Sequence, residues 1–94
     1  MTEDRFDSVW DALENSSAEA ANMRARSNLM IAIRDAVAEW KLTQVEAAKR
    51  LSVTQPRMND LLRGRIDKFS LDALMILASS AGLAVEWHVT KSAA

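Results

Sequence analysis

Few residues of this 94-residue chain are equipped for covalent chemistry. It has no cysteine and one histidine, His88, so a disulfide framework, a thiolate nucleophile and a thiolate metal site are all excluded. His88 has no second histidine or cysteine with which to share a metal, and scattered carboxylates beside it form no nucleophile system. No catalytic residue, metal or cofactor is therefore expected. The chain does offer hydrogen-bonding chemistry: Gln55, Arg57, Asn59, Asp60 and Arg63 alternate with apolar Met58, Leu61 and Leu62. Arginine can donate two hydrogen bonds to guanine, glutamine or asparagine can engage adenine through two, and a helix bearing them fits a major groove about 12 Å wide. With Pro56, this face is the candidate base reader. Nearby hydroxyl and cationic groups, Thr43, Thr54 and Arg63, suit phosphate oxygens.

The elements that must position these groups lie in LTQVEAAKRLSVTQPRMNDLLRG, residues 42–64. Thr43 with Glu46 three residues on makes a capping box, which predicts a helix from Gln44 to Leu51 with Val45, Ala48 and Leu51 inward. After a break at Ser52-Val53-Thr54, Thr54 caps a second helix from Gln55 to about Arg63. Pro56 sits in its first turn, where a missing N–H costs nothing, and Gly64 supplies the left-handed residue that ends it. Upstream, Leu29, Met30, Ile33, Val37 and Trp40 form the core stripe of a long helix from near Met23 to about Lys41. Downstream, Ser70 caps a helix from Leu71 to about Ala81, with Leu74, Leu77 and Ala78 inward and Gly82 as terminator. Leu83, Val85, Trp87 and Val89 then alternate with Ala84, Glu86 and His88, the two-residue repeat of a strand. A lone strand needs a partner, and the simplest is the same strand of a second copy, paired antiparallel. The expectation is an all-α helix-turn-helix bundle of four to five helices, with a short C-terminal β-strand paired across a homodimer.

Charge is segregated along the chain. Residues 1–22 carry six acidic groups against Arg5 alone, a net −5, whereas residues 23–94 carry eleven basic against seven acidic groups, a net +4; together they make the chain's −1. This divides the chain into an acidic amphipathic arm, residues 1–22, and a basic DNA-binding and dimerisation domain, residues 23–94. Within the arm Phe6, Val9, Trp10 and Leu13 follow helical spacing, and Asn15-Ser16-Ser17 is expected to interrupt it. No basic start leads into an apolar run, and no apolar segment approaches the roughly 20 residues of a membrane span. No membrane or small-molecule substrate is expected, and the reading favours a cytoplasmic protein.

The chain resembles the phage-repressor-like (XRE) helix-turn-helix regulators, and more closely the short, HigA-like antitoxin members of bacterial type II toxin–antitoxin modules. The fragments FDSVWDALENSSAEAANMRARSNLM, LTQVEAAKRLSVTQPRMNDLLRG and IDKFSLDALMILASSAGLAVEW carry the resemblance over nearly the whole chain. It implies that Gln44 contacts phosphate, that Gln55, Pro56 and Arg57 read bases with Asp60 one turn on, and that Arg65 and Lys68 touch the DNA backbone. It also implies a dimeric repressor of its own operon that neutralises a protein toxin. The acidic stripe Phe6, Val9, Trp10 and Leu13 is the candidate toxin-binding segment, since such toxins are often basic ribonucleases. Where the family usually has glycine, this chain has Ser52, so that turn must be strained or altered.

Each feature has a plainer reading. Arg57 could be a solvated surface arginine, and Asp60 either accepts from cytosine or orients an arginine such as Arg57 or Arg63. The N-terminal stripe could pack within its own chain. Trp40 and Trp87 read as core or dimer anchors. Of competing functions, a stand-alone dimeric regulator without a toxin comes next, then an adaptor that binds only protein. An enzyme would need an acid–base pair and a pocket that the sequence does not offer.

Overall fold

Three hydroxyls set three helix starts. Thr43, Thr54 and Ser70 hold extended backbone, and their side-chain oxygens accept from the amides of Glu46, Arg57 and Ala73 at 3.2, 3.3 and 3.1 Å. The computed structural model describes residues 2–91, with side chains from residue 17 onward. It consists of α1 Thr2–Trp40, α2 Gln44–Leu51, α3 Gln55–Leu62, a 3₁₀ turn Ile66–Lys68 and α4 Leu71–Ser80.

Three helix ends share one device. After α2, α3 and α4 a residue with positive φ turns the chain: Ser52 at 58°, Gly64 at 70° and Gly82 at 82°. Its amide reaches back three residues and the next amide reaches back five, as in Ser52 N to Lys49 O at 3.1 Å and Val53 N to Ala48 O at 2.9 Å. This is the Schellman arrangement, which satisfies carbonyls the helix leaves open. At Ser52 the left-handed conformation expected from the missing glycine is present; it costs about 1–2 kcal/mol in a residue with a Cβ. Val53, packed against the core as the following apolar residue, helps hold it there.

Two expectations about α1 and α2 are corrected. α1 runs unbroken through Asn15-Ser16-Ser17. Those residues disfavour a helix interior by only a few tenths of a kcal/mol each, and the alanine-rich run behind them, Ala18-Glu19-Ala20-Ala21, favours it. Val45, expected inward, is 41 % exposed, and Ala47 takes its place in the core beside Ala48 and Leu51.

The core stripe of α1 is as expected, with Met30, Ile33 and Val37 buried and Leu29 and Trp40 packed at its edge. α1 lies chiefly against α4 and also touches the 3₁₀ turn and α3, while α2 packs on α3. Met58, Leu61, Leu74, Leu77 and Ala78 complete the interior with Phe69, which the helical pattern did not identify. Phe69 precedes the Ser70 cap and Leu74 follows it by four, the spacing of a hydrophobic staple, and both are buried.

The C-terminal strand is not formed. Residues 83–91 are without regular structure, and no strand occurs among the described residues. Leu83 and Val85 pack against the core, whereas Trp87 and Val89 are 52 % and 94 % exposed. Alternation records which side of an extended chain is covered. It supplies no hydrogen-bonding partner, and here Leu29 and Ala32 of α1 and Ala78 of α4 line the inner side without offering a strand edge.

Candidate nucleic-acid interface

α2 and α3 are joined at their starts as well as by their turn. Gln44, the first residue of α2, donates from Nε2 to the carbonyl of Gln55, the first residue of α3, at 3.4 Å. The capping box at Thr43 is complete: its hydroxyl donates to Glu46 Oε1 at 2.8 Å and its amide donates to the same oxygen at 3.2 Å. These hydrogen bonds, first from the hydroxyl and then from the amide, hold the Glu46 carboxyl below its ordinary pKa. Each helix start in this unit thus carries a side-chain cap of its own, Thr43 for α2 and Thr54 for α3.

On α3, Gln55, Pro56 and Asn59 are exposed. Asp60 is half-buried with Oδ1 3.8 Å from Arg65 Nη1, so it pairs with neither Arg57 nor Arg63. Arg57 is turned toward the loop: its guanidinium lies 3.9 Å from the centre of the Phe69 ring, and Nη1 donates to the carbonyl of Lys68 at 2.5 Å. From the opposite side Arg26 on α1 donates from Nη1 to the carbonyls of Ile66 at 3.1 Å and Phe69 at 3.3 Å, and from Nε to Asn22 at 2.6 Å. The loop is therefore fastened alongside α3. Of the residues expected to meet phosphate, Thr43, Gln44, Thr54, Arg63, Arg65 and Lys68 are all exposed.

The structure brings Gln44 to Gln55, Asp60 to Arg65 and Arg57 to Lys68. The toxin-binding candidates Phe6, Val9, Trp10 and Leu13 lie outside the described side chains. The dimerisation candidates Leu83, Val85 and Trp87 border an open groove of about 310 Å³ against Leu29 and Ala32 of α1, and Val89 stands clear of it. Trp40 carries the Arg50 guanidinium 4.0 Å from its ring centre, consistent with a core-edge anchor. Sequence reasoning missed Phe69 and Arg26. The position before the Ser70 cap could have signalled the first, but nothing local marks an arginine forty residues from the carbonyls it binds. Among the described residues no group of three His, Cys, Asp or Glu could hold a metal ion, and no helix is long and apolar enough to cross a membrane.

Two short helices set by caps and joined through a left-handed turn, on a bundle that buries one side of each, define a helix-turn-helix unit. The family model described as a helix-turn-helix domain matches residues 12–90, and the chain belongs to that family. Among solved structures it is similar to one assigned to the XRE family of transcriptional regulators, with 27 % sequence identity and a TM-score of 0.73 over 80 % of this chain and 84 % of that one. No curated protein matches it.

Proposed function

We propose that this protein is a sequence-specific DNA-binding regulator of transcription that acts as a repressor. The observation that carries this reading is the exposed start of α3, with Gln55, Pro56 and Asn59 free of intramolecular side-chain duties. Beside it the Asp60–Arg65 and Arg57–Lys68 contacts bring a cationic loop. Gln55, Asn59 and Asp60 supply base-edge hydrogen bonds, Pro56 shapes the helix start, and Thr43, Gln44, Thr54, Arg63, Arg65 and Lys68 grip phosphates. The similarity to an XRE-family regulator supports the same reading. The test is a binding titration with a duplex taken from upstream of the chain's own gene. Affinity should fall steeply with added salt, and Gln55→Ala should cost about 1–3 kcal/mol with relaxed preference at one base pair. Affinity independent of salt and sequence would refute it.

Within this reading the protein is the cytoplasmic antitoxin of a two-gene module: it binds as a homodimer through Leu83, Val85, Trp87 and Val89, and its acidic arm neutralises a protein toxin. Support comes from the net −5 of residues 1–22, fit to cover a basic RNA-binding surface, and from the segment after α4, which has no regular structure and whose Trp87 and Val89 are exposed. Removing residues 1–20 should abolish toxin binding and spare operator binding. Unimpaired toxin binding would take that role from the arm, and a full chain that binds no toxin would be a stand-alone dimeric regulator.

A further inference from the structure

The five residues after α3 and Gly64 are held by two guanidinium groups from two helices. Arg26 binds the carbonyls of Ile66 and Phe69, and Arg57 binds that of Lys68 while lying on the Phe69 ring. The loop's own bonds are short-range, Ile66 N to Gly64 O, Lys68 N to Arg65 O and Phe69 N to Ile66 O. They shape a turn but do not tie it to α3. At its start the loop is tied to α3 by the Arg65 amide, which donates to the Asp60 carbonyl at 3.0 Å, and by the longer Asp60–Arg65 side-chain pair; at its far end, Lys68 and Phe69, the tie from α3 is Arg57.

We propose that Arg57 is a positioning residue that sets the height of the Arg65–Phe69 loop, and with it the Lys68 ammonium, against the DNA backbone, and that it reads no base. This rests on the DNA-binding function proposed above. Bidentate recognition of guanine needs the edge of the guanidinium turned outward with two N–H groups free. In Arg57 one face is laid on Phe69 and one N–H of Nη1 goes to Lys68 O, so the loop, not the exposed side of α3, sets the plane of the group. The Phe69 ring is buried, which makes it a fixed platform, and the Thr54 cap on the Arg57 amide fixes the other end of the lever. A planar guanidinium stacks on the ring and donates in its own plane at once, whereas an ammonium is a compact point charge on a flexible stem with no flat face to stack.

The experiment uses the full chain, the upstream duplex and a scrambled duplex of equal composition. It compares wild type with Arg57→Ala, Arg57→Lys, Lys68→Ala and the double variant R57A/K68A. Losing the Lys68 contact should lower the slope of log affinity against log salt by about 0.9. Arg57→Ala should lower it by a similar amount, and the double variant by no more than either, because both changes remove one contact. Arg57→Lys should behave as Arg57→Ala although the charge is kept, and preference for the upstream duplex should stay within about twofold of wild type in the Arg57 variants. The amides of Lys68 and Phe69 should exchange with solvent faster in both Arg57 variants. Additive effects, a tenfold relaxation at one base pair, full rescue by lysine, or unchanged exchange would each overturn the proposal. If wild type binds neither duplex, the DNA-binding reading falls, and the exchange measurement still decides whether Arg57 holds the loop.

Discussion

Between Thr43 and Gly64 the backbone groups at helix ends find partners within five residues, whereas from Ala84 to Lys91 the described chain makes no backbone hydrogen bond to any other element. The first region closes locally and the second stays open. A cap or a Schellman turn is a contract among neighbours in sequence, so it forms wherever the chain allows the required φ and ψ. A strand is a contract between distant segments or separate chains, and half of it has no stability of its own.

The difference can be broken most forcefully at Leu61. It is 1 % exposed on the buried side of α3, so Leu61→Ala should cost about 2–5 kcal/mol and lower the melting temperature of this small domain accordingly. A thermal scan close to wild type would mean that caps alone hold the α2–α3 unit.

Thr43→Ala probes the caps themselves and should cost about 1 kcal/mol in a denaturant titration. It should also change the acid limb. The native pKa of Glu46 is depressed by Thr43, so the carboxylate's contribution is present above the ordinary value of 4.5 and is lost as pH falls through the lowered native value. Without the hydroxyl that part of the pH dependence should shrink; an identical acid limb in wild type and variant would remove Thr43 as its cause.

The smallest effect belongs to the open region. Val89→Ser should leave unfolding within about 0.5 kcal/mol of wild type, because the side chain is 94 % exposed. A larger loss that grows with protein concentration would show that a second copy covers the segment, and would extend the buried side beyond Val85.

Much of the candidate site was legible because its parts are local. Thr43, Glu46, Thr54, Pro56 and Gly64 announce two short helices, and the polar positions between Met58 and Leu61 follow from helical period. What escaped was contact at long range. Asp60 had two arginines within reach along its own helix, yet it pairs with Arg65 beyond the turn. Arg57 sits where a base reader would, but the Phe69 ring and the Lys68 carbonyl occupy it once the loop folds back. The α1 break failed for the opposite reason: three weak local preferences were outweighed by the helix on either side of them.

The order of residues by itself determined the starts of α2, α3 and α4, the left-handed turns, the apolar stripe of α1 and the exposed face of α3. All of these depend on groups only a few positions apart. Only the tertiary structure decided that Phe69 would be core, that Arg26 and Arg57 would fasten the loop after α3, and that the alternating tail would form no ladder. Those outcomes depend on which distant surfaces meet, and burial and hydrogen bonding reward such meetings only after the chain has closed on itself.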